Sequence, residues 1–499
     1  MNKLRKLSII FLILTMLFTV SGTQAFAVDI VKPEVSQVTS QSEYFDSVRA
    51  FIKQKYSGAL SEKELQEAST LKGMFETLDD YSAFYDLNEI NAVFGMLEGS
   101  VEGVGIQVSL EEKAQYITIL KVYRNSPAWK AGVLSGDRIA EVDGKSVADQ
   151  SLEQVVAKVK GPAGTKVKLG LLRQGASKII TLEMSRARVD IPSVHYEIRD
   201  SIGYILLDSF SSNTYSGVDE ALTYFDSKKI SRVVLDLRNN PGGLVDQAVR
   251  VAQRFVPKGL ITTLDYKDES ETDQTYYSSL SKLKYDLCVL VNENSASAAE
   301  ILTGAIKDTK AGVVIGTKTF GKAKVQTFYP ILNLEAFKTL NTNREVKSVN
   351  GYDFGYPFDS QLAGWGKMTI GLYRTPNGDS IDLKGIEPNV LINDKKTDDS
   401  VPVNLLEPLT VTVKPKLGNQ YVDVFYAEHI LKLLNYNVDE PDMVMDQKTV
   451  DAIKKFQKDN KVYSYGVMDF CTQELLNGKL AAMKQTKDIA YAKAAELLN

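Results

Sequence analysis

Cysteine and histidine are scarce in this sequence. Its 499 residues include only two cysteines, Cys288 and Cys471, and two histidines, His195 and His429. Two cysteines exclude a disulfide framework and a cysteine zinc site, and two histidines exclude a histidine-rich metal centre. The formal charge of −4 gives no excess of basic residues of the kind that binds nucleic acid. The sequence therefore predicts no metal or other cofactor and no nucleic-acid partner.

Long apolar runs are also scarce, and the run near the N-terminus is short. It spans Leu7–Val20, follows basic residues at positions 3, 5 and 6, and precedes Ala25-Phe26-Ala27. A membrane-spanning helix needs roughly 20 apolar residues. A basic start, a short apolar core and an Ala-x-Ala end are typical of a secretory signal peptide. We predict export to the cell envelope or medium with cleavage after Ala27; the alternative is an uncleaved membrane anchor.

The remaining chain has the composition of ordinary globular domains, with 44% hydrophobic and 24% charged residues. Residues 44–97 show helical spacing, which predicts two or three helices that dock on the protein or pair with a second copy of the chain. Further along, near-continuous apolar runs indicate buried parallel strands separated by helices. These predicted strands are Ile202–Leu207, Arg232–Leu237, Leu287–Val291 and Val313–Ile315.

Short β-rich runs and glycine turns lie between these two regions. The pattern includes Gly103-Val104-Gly105-Ile106 before a strand, and then Ser126-Pro127-Ala128. Over about 90 residues this arrangement resembles a PDZ domain. The resemblance implies that the N–H groups of the loop Gly103–Ile106 bind the terminal carboxylate of a protein tail, which adds a strand to the sheet edge. The alternative is a small β-barrel whose glycines serve only turns.

Candidate catalytic groups follow the third of these strands. Ser295 and Ser297 lie where the strand turns into a helix, and free N–H groups at such a turn stabilise an oxyanion. Serine at a helix N-cap is also among the commonest structural choices, so this position alone is weak evidence for a nucleophile. Lys322 lies among glycine and apolar neighbours, where burial favours the neutral amine that a general base needs. An exposed loop lysine is the alternative.

Three segments together closely resemble the C-terminal processing peptidases, serine peptidases with a Ser/Lys dyad. The segments are Asp236–Gly243, Ser295–Glu300 and Thr319–Gln326. The resemblance extends over about residues 65–394.

This resemblance implies a role for each matching position. Ser297 is the nucleophile, Lys322 is the general base, and Gln326 orients the lysine. The N–H groups of Ala298 and Gly242 form the oxyanion hole. The implied reaction is peptide-bond cleavage through an acyl-enzyme, on substrates whose C-terminal tail the PDZ domain captures.

The sequence departs from the family pattern at a few positions. Ala299 and Ala323 replace a usual serine and glycine, and Lys324 adds a cation that we expect to lower the pKa of Lys322 if both face the site. About 30 extra residues separate Gln326 from a strand that we predict to begin at Lys367. One expectation for this insertion is that it covers the catalytic groove.

The C-terminal segment is helical and carries an apolar pair before Phe456-Gln457. It resembles the small three-helix peptidoglycan-binding domain, which implies peptidoglycan as a partner. Dimerisation or docking on the protein is the alternative.

The predicted fold is multidomain α+β: an α/β layered protease core with an inserted β-rich PDZ domain, N-terminal helices and a small C-terminal helical bundle. The predicted segments are a signal peptide (1–27), a tether and helical region (28–98), the PDZ domain (99–188), the serine peptidase core (189–400), a linker (401–420) and a peptidoglycan-binding-like domain (421–499). The favoured function is an exported serine endopeptidase; the competing one is a non-catalytic scaffold that holds protein tails and wall polymer.

Overall fold

The computed structural model describes residues 41–499 except 112–115, 124, 135, 149, 174–177, 269–270, 356, 394–402, 404–405, 440 and 487. The predicted signal peptide and the tether up to residue 40 lie outside the described residues. Within the described ranges, no helix is both long and apolar enough to span a bilayer.

Helices occur at both ends of the described chain and between the strands. Their bounds are α1 Gln41–Lys55, α2 Glu62–Glu67, α3 Leu71–Glu76, α4 Leu87–Glu98, α5 Pro127–Ala131, α6 Leu152–Val159, α7 Thr214–Ser227, α8 Val245–Phe255, α9 Ala298–Asp308, α10 Leu334–Leu340, α11 Val422–Leu433, α12 Gln447–Asp459, α13 Phe470–Thr486 and α14 Ile489–Leu498. Two short 3-10 helices lie at Gly351–Phe354 and Asp359–Gln361.

The strands are mostly short. Their bounds are β1 Ala83–Tyr85, β2 Ser100–Gly103, β3 Ile106–Glu111, β4 Tyr116–Val122, β5 Arg138–Val142, β6 Lys145–Ser146, β7 Lys166–Leu172, β8 Ile180–Ser185, β9 Ala187–Asp190, β10 Val194–Arg199, β11 Ile202–Leu207, β12 Arg232–Asp236, β13 Gly259–Tyr266, β14 Gln274–Ser278, β15 Asp286–Val291, β16 Val313–Gly316, β17 Lys324–Leu332, β18 Leu362–Arg374 and β19 Val390–Leu391.

The central sheet has the strand order β10-β11-β12-β15-β16-β19, parallel except for β10. The four predicted apolar runs are confirmed as β11, β12, β15 and β16, with ends that differ by one residue at most. Successive side chains alternate between the two faces, so Val233 and Leu235 join the core under α7, α8 and α9 while Val234 joins a second core. Burial of both faces explains why these strands are apolar throughout.

The predicted insertion between Gln326 and Lys367 contributes most of β17, helix α10, the two 3-10 helices and the start of β18. β17 and β18 pair antiparallel, and β18 begins at Leu362, so the expected start of this strand was wrong by five residues. The N-terminal helix α1 packs on the strand pair β17 and β18. The Tyr44 hydroxyl donates to the Leu332 carbonyl at 2.7 Å, and the rings of Phe51 and Tyr329 pack edge to face.

The β-rich region is built around an antiparallel sheet of order β3-β4-β5-β7-β8, with β6 paired to β5. Its own apolar core includes Val104, Ile119, Val155 and Leu169. β3 lies at the sheet edge, beside α6, so its outer side is available to an added strand. The pair β2-β9 forms where the chain enters and leaves this region.

The C-terminal helices divide between two cores. Helices α11, α12 and α13 share one apolar cluster that includes Ile430, Phe456 and Leu480. Helix α14 instead packs on the central sheet, where Ala490 and Tyr491 are buried against strand residues. The predicted C-terminal segment 421–499 therefore contains a helix whose buried face belongs to the core of the α/β domain.

A buried ion network fixes α14 to the sheet. The Arg238 guanidinium donates to the Asp236 carboxylate at 2.6 Å and to the Asp488 carboxylate at 2.7 Å and 2.9 Å. Tyr204 donates to Asp236 at 2.6 Å, and Asp488 also accepts the N–H of Tyr491 in the first turn of α14. All three charged side chains are at least 90% buried, so each depends on its partners.

We expect Asp488→Ala to lower the free energy of unfolding of the α/β domain by about 3 kcal/mol, because it leaves part of a buried guanidinium unpaired. The matched control is Glu496→Ala, which removes an exposed partner of Lys493 on the same helix and should cost about 0.5 kcal/mol or less. Urea unfolding would be followed by Trp365 fluorescence in a Trp129→Phe background. Equal effects of the two variants would contradict a structural role for this network.

Candidate active site

The turn between β15 and α9 separates the two candidate serines. Ser295 is fully buried; its hydroxyl donates to the Leu237 carbonyl at 2.8 Å and accepts the Asn292 N–H. Ser297 is half-buried, directly precedes α9, and has a φ of 56° and ψ of −118°. A positive φ is strained for a residue other than glycine, and such strain clusters at functional sites. Ser295 is thus bonded within the turn, whereas Ser297 keeps part of its surface exposed.

A single buried carboxylate joins Ser297 to the loop that carries Lys322. Glu300 has no exposed surface. Its Oε2 accepts the backbone N–H of Ser297 and of Lys322, each at 2.9 Å. Its Oε1 accepts the Gly321 N–H at 2.7 Å and the Thr319 hydroxyl at 2.6 Å. Charge-assisted bonds of this kind are about twice as strong as neutral ones, so the two segments are held in a fixed relation.

Tyr373, from β18, links the same two residues on their carbonyl side. Its buried hydroxyl lies 2.7 Å from the Lys322 carbonyl oxygen and 3.1 Å from that of Ser297. Its backbone N–H donates to the Ala323 carbonyl at 2.9 Å. The backbones of the predicted nucleophile and the predicted base are therefore connected through both their N–H and their C=O groups.

The amine of Lys322 is partly withdrawn from water. Burial, and then the positive charge of Lys367, lower the pKa of Lys322 to about 8, against the opposing effect of Asp79 and Glu300. The expected lowering by Lys324 is present but smaller. Lys324 forms an ion pair with Asp79 at 3.0 Å, so its charge is largely balanced. Burial thus gives Lys322 the shift that a lysine base requires.

Gln326 lies in a neighbouring network. Its amide nitrogen donates to the Thr369 hydroxyl at 3.2 Å, and that hydroxyl donates to Asp79 at 3.0 Å. Within the described part of the chain, no hydrogen bond joins Gln326 to Lys322 or the Ser297 hydroxyl to the Lys322 amine. Catalytic hydrogen bonds are often long without substrate and tighten only when it binds.

The two predicted oxyanion donors differ in whether their N–H groups already have a hydrogen-bond acceptor. The Ala298 N–H belongs to the first turn of α9 and has no acceptor among the described residues. The Gly242 N–H donates to the Asn240 side chain at 2.9 Å. Gly242 is nevertheless packed on the turn: a Cβ there would lie 2.7 Å from the Ser297 Cβ and 2.9 Å from the Ala298 nitrogen.

Glu300 and Tyr373 are the site residues that motif reading did not assign. Glu300 stands three residues after Ser297, which is the spacing of a capping box, so the sequence alone could have identified its role at the start of α9. Tyr373 lies 51 residues after Lys322 and has no local signal. Asp308, in the last turn of α9, accepts the Asn377 N–H at 3.1 Å.

The loop Gly103–Ile106 borders a cleft of about 100 Å³ with mainly apolar walls. Val104 and Ile106 form one wall, and Val155 and Val159 of α6 form the other. The N–H groups of Val104 and Gly105 have no acceptor among the described residues. The structure therefore places the four predicted peptide-binding residues together, with free donors beside an apolar cleft.

A carboxylate cluster lies in the C-terminal helical region. Among the described residues, Glu428, Asp439 and Asp446 have oxygens within 4.8 Å of one another, close enough to share a cation. Glu428 already accepts the Asp442 N–H at 2.7 Å and the Thr449 hydroxyl. Burial raises the pKa of Glu428 to about 8, so this carboxyl group is mostly protonated at neutral pH.

Comparison with known families gives three matches along the chain. Residues 201–392 match the family described as "Peptidase family S41". Residues 118–173 match the family described as "PDZ domain", and residues 420–476 match the one described as "Putative peptidoglycan binding domain".

Similar proteins are found over nearly the whole length. The carboxy-terminal processing protease CtpA of Bacillus subtilis is 31% identical over 99% of both chains. CtpB of the same organism is 29% identical over 87% of this chain and 83% of its own. Among solved structures, a photosystem II D1 C-terminal processing protease is 26% identical, covers 72% of this chain and 96% of its own, and has a TM-score of 0.41.

We expect Gly242→Ala to reduce peptide-bond cleavage by at least about 100-fold, because the added Cβ would displace the Ser297 turn. Gly378→Ala is the matched control. Gly378 also has a positive φ, but nothing lies within 4 Å of an added Cβ, so only backbone strain is introduced. Cleavage rates of the two folded variants would be compared, and similar rates would contradict the importance of this contact.

Proposed function

The chain belongs to the carboxy-terminal processing proteases of peptidase family S41, and from this premise we propose that Ser297 is its nucleophile and Lys322 its general base. One observation carries the assignment: the Glu300 carboxylate binds the N–H groups of both residues, each at 2.9 Å. Two residues 25 positions apart in the sequence are thereby held in one site. A Ser/Lys dyad needs this fixed relation because proton transfer requires hydrogen-bond contact.

In the proposed first step, neutral Lys322 takes the proton of the Ser297 hydroxyl as the oxygen attacks a peptide carbonyl carbon. With a pKa of about 8, about a tenth of the lysine is neutral at pH 7. The resulting ammonium then gives its proton to the leaving amine. Water attacks the acyl-enzyme with the lysine again acting as base, which frees Ser297.

The negative charge of the tetrahedral intermediate falls at the start of α9. We propose the Ala298 N–H as a donor to this oxyanion, supported by its lack of an acceptor and by the helix dipole. The Gly242 N–H can serve as the second donor only after it leaves Asn240. Gln326 can orient Lys322 in the proposed mechanism only after its amide leaves Thr369.

We propose that the PDZ domain selects substrates by an apolar C-terminal residue. The free N–H groups of Val104 and Gly105 suit the terminal carboxylate, and the apolar cleft between β3 and α6 suits the last side chain. The edge strand β3 would pair with the extended tail.

We propose that the protein acts outside the cytoplasm, at the cell envelope. The match of residues 420–476 to a peptidoglycan-binding domain and the N-terminal signal pattern support this location. Peptidoglycan is the proposed partner of helices α11–α13. Pairing of two chains into a homodimer stays a prediction.

We expect Ser297→Ala and Lys322→Ala each to reduce cleavage of an unstructured protein by at least about 1,000-fold without unfolding the chain. The matched control is Lys318→Ala, an exposed lysine of the same loop that pairs with Glu387. Because the base acts as the free amine, kcat/KM of the wild type should rise with pH and level off above about 8. Full activity of Lys322→Ala would refute the dyad. An inert wild type that still binds protein tails would favour the scaffold function.

We expect the PDZ cleft to bind a peptide with an apolar last residue and a free carboxylate, and to lose it when that carboxylate is amidated. Val156→Asp, which places a charge in the cleft wall, should weaken binding at least about tenfold. Ala157→Asp, the next residue on the exposed side of α6, is the control. Fluorescence anisotropy of labelled peptides would measure both, and equal affinities would contradict this binding mode.

A further inference from the structure

Tyr81 lies against the amine of Lys322. It belongs to the turn between α3 and β1, in the N-terminal helical region rather than the segment 201–392 that matches the peptidase family. The Lys322 Nζ is 4.6 Å from the centroid of the Tyr81 ring, and the Lys324 Nζ is 5.2 Å from it. These distances are those of cation–π contacts.

The turn that carries Tyr81 is fixed on the protease sheet. The Asp79 carboxylate accepts the Ser82 hydroxyl at 2.8 Å, the Thr369 hydroxyl at 3.0 Å and the Lys324 amine at 3.0 Å. The Ser82 hydroxyl in turn accepts the Thr369 N–H at 3.2 Å. Hydrogen bonds on both sides of Tyr81 therefore set its position relative to β17 and β18.

We propose that Tyr81 is a positioning residue for the catalytic lysine: the face of its ring receives the Lys322 amine between turnovers and keeps it beside the Ser297 turn. The catalytic part of this inference rests on the dyad proposed above. The contact between ring and amine is independent of that dyad.

An aromatic ring suits this task better than a carboxylate. A carboxylate beside the amine would raise the pKa of Lys322 by one to three units and keep the base protonated. A partly exposed ring stabilises the ammonium by less than one pH unit, so the amine can still lose its proton near neutrality. The Asp79 carboxylate of the same turn is paired with Lys324 at 3.0 Å.

The other charges that act on Lys322 come from four places in the fold, namely β17, β18, α9 and the turn after α3. Lys367 of β18 and Lys324 of β17 favour its neutral form, and Asp79 and Glu300 favour its charged form. None of these groups is removed by substitution of Tyr81. A change in the titration of Lys322 in such a variant therefore reports the ring itself.

The test uses the full mature chain carrying Ser297→Ala, in which the pKa of Lys322 is measured by competitive acetylation and mass spectrometry. Tyr81→Leu keeps an apolar side chain but removes the ring face, and it should lower the titration midpoint of Lys322 by about half a pH unit. Tyr81→Phe keeps the ring and should restore the midpoint. The matched control is Tyr215→Leu, which removes a ring that lies 4.0 Å from the Arg250 guanidinium; Arg250 is not among the charges that act on Lys322, so the midpoint should stay in place.

The same substitutions in the active enzyme give a kinetic readout. Tyr81→Leu should lower kcat about tenfold and move the acid limb of the pH profile down, while Tyr81→Phe should recover most of the loss. A midpoint that is unchanged or raised in Tyr81→Leu, or that shifts equally in Tyr81→Phe, would overturn the inference. Failure of the dyad itself would be seen separately, as cleavage by Lys322→Ala.

Discussion

The buried carboxylate of Glu300 is the constraint on which the site depends. It has no contact with water and accepts four hydrogen bonds, three from backbone N–H groups and one from Thr319. A buried charge is tolerated only when its acceptor capacity is filled in this way. The turn after β15 and the loop after β16 must therefore take the conformations that bring these donors together. The strained φ of Ser297 persists because this network holds the residue on one side and Tyr373 holds it on the other.

The environment of Lys322 follows from the same arrangement. Once its backbone is fixed, its side chain lies among β17, β18 and the turn of Tyr81, where burial dominates its electrostatics. The charges around it nearly balance, since two lysines oppose two carboxylates and one of those lysines is paired with Asp79. Desolvation is then the effect that decides the protonation of the amine.

The loop after β12, which contacts Ser297, is also bound to the start of the C-terminal helix α14. Arg238 binds Asp488 at the start of α14, and four residues later Gly242 packs on the serine. The last helix also covers the second face of the central sheet. A segment that follows the region matching a peptidoglycan-binding domain thus supports the loop that packs on Ser297, because a parallel sheet needs cover on both faces.

The sequence by itself determined the order of the PDZ, peptidase and peptidoglycan-binding-like regions, the four buried strands and the motifs around Ser297 and Lys322. These features are local, because apolar runs, glycine turns and short spacings in the sequence predict them directly. Only the tertiary structure shows that Ser295 is buried and bonded to the Leu237 carbonyl while Ser297 is half-buried. It also brings Tyr373 and Tyr81 to the lysine, pairs the Gly242 N–H with Asn240, and places α14 on the sheet. Each of these contacts joins residues that are close only after the strands pair and the helices pack. The spacing of residues along the chain does not predict such contacts. They depend on burial, hydrogen-bond geometry and charge balance, which exist only in the folded protein.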